Sequence, residues 1–217
     1  MRRGRGFTLI ELLVAISAMA LLALMSWRGL DAMGRGQAIS RERGDAVLTM
    51  QTALAQWGSD LDAIVPLAQT TAIDWNGTVL RLTRRSTDSP SPVVYVVAWI
   101  LRQDANTGSR WHRWQSPGVT TRADWQQAWD NASAWAGDPT VSDTGGTDVD
   151  LIPVDSWQLL YFQNGNWGQA VAASALGSTT PLPDGVRLIL GLPGGQPLTG
   201  TVTRDWARPS VTVPKAS

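Results

Sequence analysis

Residues 7–27 read FTLIELLVAISAMALLALMSW, a run of about 21 residues that carries one charge, Glu11. A run this long and this apolar leaves few folding options. At about 1.5 Å rise per residue, a helix of that length spans roughly 30 Å, the thickness of a bilayer's hydrocarbon core. The segment is expected to be a transmembrane helix. Arg2, Arg3 and Arg5 precede it, and the positive-inside bias holds that end in the cytoplasm and sends the rest of the chain to the far side. A secretory signal also starts basic, but its apolar stretch is shorter and ends at a small-residue cleavage site. Here the run continues through Trp27 and Arg28 into more helix-compatible sequence.

Glu11 is the residue that plain anchoring does not explain. A carboxylate at the centre of a membrane helix costs about 2.5–3.5 kcal/mol on insertion scales, so such residues are rare and mark function by default. The stretch GFTLIELLVAI resembles the type IV prepilin signature: a small residue, Gly6, then a hydrophobic first mature residue, Phe7, then glutamate at mature position five, Glu11. The resemblance implies that the prepilin peptidase cuts between Gly6 and Phe7, removing residues 1–6 as a basic leader, and that Phe7 becomes N-methylated. It implies an assembly role for Glu11. Cleavage creates an α-amino cation, and a neighbouring subunit's carboxylate attracts it most strongly in a low-dielectric setting. The competing reading is a single-pass anchor with an incidental glutamate.

Beyond the span, residues 28–44 are polar and contain Gly29, Gly34, Gly36 and Gly44. Each glycine costs about 1 kcal/mol relative to alanine inside a helix, so this stretch is expected to be pliable. From Val47 onward, Val47, Met50, Leu54, Trp57, Leu61 and Ile64 recur at intervals of three and four, which predicts one apolar stripe. Pro66 ends the pattern. The spacing therefore predicts one helix to about residue 65, with residues 7–27 apolar and residues 28–65 amphipathic. A coiled coil competes for the second half, although the heptad-like stretch is under three repeats long.

Residues 66–208 read as β-rich. AIDW and TVLRLTR flank Asn76-Gly77, a pair suited to a type I′ hairpin turn. PVVYVVAWILRQ is expected as a buried strand that returns through Asn106 to Gly108 into SRWHRWQ. WQLLYFQ and NWGQAVA flank Asn164-Gly165, and GVRLILGL and TGTVTRDW surround Gly194-Gly195. Between these strands, Trp125, Ala128, Trp129, Ala132 and Ala136 share one face of a short amphipathic helix. Residues 137–150 are expected as a polar loop, and residues 209–217 as an extended tail. The fold class expected is α+β, with a long N-terminal helix packed on an antiparallel β-rich domain.

Several chemistries are set aside by residue type. Cysteine is absent, which removes disulfides, thiolate metal sites and cysteine nucleophiles. Basic and acidic residues balance at 18 each, so no global field draws in nucleic acid. His112 is the sole histidine, which rules out a multi-histidine metal site within one chain and favours a structural or surface role. Asp138, Asp143, Asp148 and Asp150 are weak calcium candidates; their spacing fits no EF-hand, and a solvated loop is the favoured reading. The twelve tryptophans suggest either a sugar-stacking platform or, more simply, core and interface packing. No cofactor and no catalytic residue is expected.

The order of features narrows the resemblance. QWGSDLDAIVPL, TVLRLTRRS, VVYVVAWILRQ with SRWHRW, and WQLLYFQNGNWGQAV with LPDGVRLIL are together similar to the J-type minor pseudopilin of type II secretion. That family implies a pilin-like fold and a non-enzymatic subunit of the pseudopilus tip complex, which helps export folded proteins across the outer membrane. Its partners would be the I-, K- and H-type minor pseudopilins, the major pseudopilin and the prepilin peptidase. It would sit in the bacterial inner membrane by one pass, with its C-terminal domain in the periplasm. A minor pilin of a type IV pilus and a membrane-anchored glycan-binding domain are the alternatives.

Overall fold

The structure is a computed structural model and describes residues 8–86, 93–104, 108–138, 145–170 and 182–209. Two compact units divide the chain, residues 1–46 and residues 47–217. The first contains the opening turns of helix α1, Leu9–Asp62. All of its described residues through Asp45 are exposed. Its most apolar window has a mean hydropathy of 2.3 with none of its residues buried, so length and composition suffice to cross a membrane. The glycine-dotted stretch is helical throughout, and a Cβ added at Gly29, Gly34, Gly36 or Gly44 would meet nothing within 4 Å.

In the second unit the remaining turns of α1 bury Met50, Ala53, Trp57, Asp60 and Leu61. The expected stripe is therefore rotated slightly: Leu54 and Ile64 are half-buried, and Val47 is 36% exposed. The helix stops at Asp62, before Pro66, because the backbone changes partners there. The Val65 N–H donates to the Thr83 carbonyl at 3.0 Å and the Arg85 N–H donates to the Ala63 carbonyl at 2.9 Å, which joins the helix end to a strand.

Among the described residues, nine strands form two sheets: β1 Ile73–Trp75, β2 Val79–Arg85, β3 Val94–Asp104, β4 Gly108–Gln115 and β5 Thr147–Pro153, then β6 Ser156–Gln163, β7 Asn166–Gln169, β8 Gly185–Leu192 and β9 Gly200–Ala207. The first sheet has the order β1-β2-β3-β4-β5 and the second β7-β6-β8-β9, all pairs antiparallel. Helix α2, Arg122–Gly137, follows β4. The fold is α+β, as the sequence pattern predicts.

Strand β3 explains the layering. Val96, Ala98 and Ile100 point to a core shared with Trp125, Ala128, Trp129, Ala132 and Trp135 of α2. Val97 and Trp99 point the other way, to a core shared with Met50, Trp57 and Leu61 of α1 and with Leu159, Val186, Leu188 and Leu190 of the second sheet. A strand buried on both faces reads as a continuous apolar run rather than an alternation, which is why VVYVVAWIL stands out. In the second core, the rings of Trp57, Trp99 and Trp111 meet at centroid distances of 5.3 Å, 4.4 Å and 5.5 Å.

Three local expectations need correction. The Asn164-Gly165 turn does have positive φ at both residues, 52° and 82°, as a type I′ hairpin requires. At Asn76-Gly77 only the glycine does, at 94°. There the Asn76 side chain instead accepts from the Thr78 and Val79 N–H groups at 3.0 and 2.8 Å, so the hairpin forms around an Asx turn. On α2, Trp135 is buried and Ala136 only half-buried. The loop expected over residues 137–150 ends early, because Thr147 begins β5. Residues 139–144 and the tail from 210 lie outside the described residues.

Asp60 fastens α1 to the first sheet. Its fully buried carboxylate accepts from Arg84 at 2.6 Å, from Arg113 at 2.7 and 2.8 Å, from the Trp99 indole at 3.0 Å and from Gln56 at 3.0 Å. Asp60→Asn would leave two buried guanidiniums without their anion. We expect a loss of about 3–5 kcal/mol, measured by thermal unfolding of the full chain in detergent; a loss below about 1 kcal/mol would refute the role assigned to this carboxylate.

Candidate functional site

Gly6 and Phe7 lie outside the described residues, but the helix start just after them is defined. Thr8 stands at the N-cap of α1 and Glu11 three residues on. The Thr8 N–H donates to Glu11 Oε2 at 3.0 Å, the Thr8 hydroxyl donates to the same oxygen at 2.9 Å, and the Glu11 N–H donates to Thr8 Oγ1 at 3.3 Å. This is a capping box: the carboxylate serves backbone donors that a helix start otherwise leaves without partners. Sequence reasoning singled out Glu11 as a charge and missed its local partner, although Thr-x-x-Glu ahead of an apolar run is itself a helix-start pattern.

Chemically, the box gives the carboxylate of an otherwise apolar helix start a first set of donors within its own chain. It also holds that carboxylate on the helix face that carries Val14, Ala15 and Ala18. Farther along, Trp27 is 72% exposed, where an indole suits the boundary between lipid and water. One turn on, Arg35 pairs with Asp31.

Of the four aspartates raised as calcium candidates, three lie in described residues. Asp143 lies outside the described residues. Asp138 is the C-cap of α2. Asp148 and Asp150 sit on β5, where the sequence predicts a solvated loop, and both face cations. Asp150 accepts from Arg110 Nε at 2.5 and 2.6 Å. Asp148 takes Arg102 at 3.2 Å, the Trp135 indole N–H at 3.2 Å and His112 Nδ1 at 3.2 Å. Among the described residues no group of three or more His, Cys, Asp or Glu is placed to hold a metal ion. His112 is half-buried in the strand ladder, with Nδ1 3.2 Å from Asp148.

Most of the tryptophans lie in the core. Trp57, Trp99, Trp111, Trp114, Trp125 and Trp129 are almost wholly buried. Trp167, 37% exposed, lies under the Arg187 guanidinium at 4.3 Å from its ring centroid. What sequence reasoning missed was Asp60: one aspartate among several near the helix end gave no signal that it would be the buried one.

Two comparisons with known proteins bear on this geometry. Residues 1–27 match the family model described as the prokaryotic N-terminal methylation motif. The fold is similar to that of a chain in the crystal structure of the GspK-GspI-GspJ complex from the type 2 secretion system of enterotoxigenic Escherichia coli. The TM-score is 0.51 and the identity 17%, over 76% of this chain and 99% of that one. At that identity the likeness shows the shared fold.

The β5 edge has a pH signature. Burial pushes the Asp148 carboxyl up, but hydrogen bonds from His112 and Trp135 and the charges of His112 and Arg102 outweigh it and hold the group below its ordinary value. A depressed acid contributes stability above its unfolded value, about pH 4, and that contribution is lost as pH falls through the lower folded value. Thermal unfolding followed from pH 5 down to pH 2 should fall more steeply in the native chain than in Asp148→Asn. Parallel curves would contradict this assignment.

Proposed function

We propose that the chain is a non-enzymatic minor subunit of a type II secretion pseudopilus, of the J type, working in the tip complex that initiates the filament. The observation that carries this reading is the methylation motif over residues 1–27 set at the start of an apolar helix whose surface the chain itself leaves uncovered. An uncovered apolar surface of this extent needs lipid or other subunits around it. The pilin-like fold, similar to a chain of a three-pseudopilin complex, supports the same reading. On it, the chain is anchored in the inner membrane by one pass with residues 66–208 in the periplasm, and its partners are the I-, K- and H-type and major pseudopilins.

In this reading Gly6 and Phe7 are the processing site and Phe7 the methylated terminus. Glu11 is the assembly residue. The Thr8 hydroxyl and N–H hold its carboxylate while the subunit is alone in the bilayer. The α-amino cation of a neighbouring subunit then offers a stronger, charge-assisted donor to the same oxygens, so pairing sets the axial register as the filament grows.

Mass analysis of the mature protein tests the reading. We expect a chain that begins at methylated Phe7; a native protein that begins at Met1 would sink the proposal. With Glu11→Ala, processing at Gly6 should continue while incorporation into the filament falls. Deletion of the gene should stop exoprotein release rather than twitching motility, and the reverse outcome would make the chain a type IV pilus subunit.

A further inference from the structure

In the second unit, the arginines of the globular part are paired almost throughout. Arg81, Arg84, Arg102, Arg110, Arg113, Arg187 and Arg208 each meet a carboxylate, and Arg122 meets the Gln69 side chain. Among the described residues, the Arg85 and Arg204 guanidiniums have no hydrogen bond or ion pair, and both line the same open groove. Arg85 comes from the end of β2 and Arg204 from β9, and both are exposed.

The floor of this groove is the last turns of α1 and Ala63, the residue that follows it. Leu54, Gly58 and Asp62 make one row at spacing four, and Ala55, Ser59 and Ala63 make the next. Parallel rows at that spacing are the grooves into which a second helix sets its ridges, and small residues let the two backbones approach closely. Gly58 is not needed by the chain's own packing, since a Cβ there would meet nothing within 4 Å. The groove's own carboxylate, Asp62, accepts the Trp206 indole N–H at 2.8 Å and pairs with neither arginine, so two cations face one anion.

We infer that this groove receives a helix of a different pilin-like subunit, one that carries carboxylates facing Arg85 and Arg204. The inference rests on the subunit role proposed above and names the surface and the partner's chemistry. Charge argues against a second copy of this chain as the occupant. Between residues 28 and 45 its own helix carries four arginines, Arg28, Arg35, Arg41 and Arg43, against three acids, Asp31, Glu42 and Asp45. Asp31 is already paired with Arg35, and Glu42 is flanked by arginines in the sequence. A partner helix with net negative charge complements the groove, and complementary charge sets which partner docks and in what register.

The test uses the full-length chain, co-expressed with the prepilin peptidase and the other minor pseudopilins and purified in mild detergent. Arg85→Glu with Arg204→Glu should lower the co-purified partner by roughly tenfold or more, and Gly58→Leu, which fills the floor, should act alike. Both variants should unfold at the native temperature, since neither removes a contact within the chain. Because the chain has no cysteine, Ser59→Cys introduces the sole thiol, which should cross-link to single cysteines placed on the partner's helix. A carboxylate-to-lysine change on that helix should restore capture by the doubly reversed variant. If the native chain captures its partners and the variants capture them equally, the groove is overturned while the subunit role stands. If the native chain captures no pseudopilin, the subunit role falls and the groove with it. Cross-linking mainly between two copies through the introduced thiol overturns the choice of occupant.

Discussion

The globular part depends on one buried anion. Asp60 leaves α1 in its last turn, where solvent is excluded, and receives two guanidiniums from β2 and β4 and an indole from β3. In so dry a setting charges interact strongly but are costly to desolvate, so such a cluster adds little net stability over an apolar one. Its effect is positional. Only one rotation and one height of these helix turns bring the carboxylate to both arginines, and the same placement seats Trp57 against Trp99 and Trp111. The aromatic walls and the ionic centre therefore specify each other.

From that joint the layers follow. The first sheet takes α1 and the second sheet on one face and α2 on the other. Helix α2 starts with Thr121 capping the Asp124 N–H at 3.2 Å, the same device that starts α1 at Thr8. The Arg81 and Arg102 guanidiniums lie over Trp129 and Trp135 of α2, at 4.7 and 4.6 Å from the ring centroids. Such contacts cover indoles that would otherwise lie at the domain's edge. A tryptophan-rich domain thus stays closed without a single disulfide.

How far the residues alone revealed this depends on how local each signal is. The apolar helix with its lone glutamate, the doubly buried strand β3 and the Asn164-Gly165 turn were legible, because each rests on composition or on backbone conformation over a few positions. Strand β5 was not. Its alternating aspartates resemble a solvated loop until Arg110 and His112 of β4 and Arg102 of β3 supply partners. Asp60 was hidden for a similar reason, since its partners lie 24, 39 and 53 residues away. Glu11 stands out in the sequence by its charge, and its bond to Thr8 is easily missed because the cap is a weaker pattern than a lone carboxylate in an apolar run.

The span of the larger core has a consequence for the order of events in synthesis. It joins Met50 and Trp57 of α1 to Leu188 and Leu190 of β8, so loops of well over a hundred residues must close before its central indoles are shielded. A nascent chain halted before β8 would leave the Trp57–Trp99–Trp111 cluster open to water. The apolar helix is made first, and the globular part matures last, vulnerable to proteases until β8 is delivered.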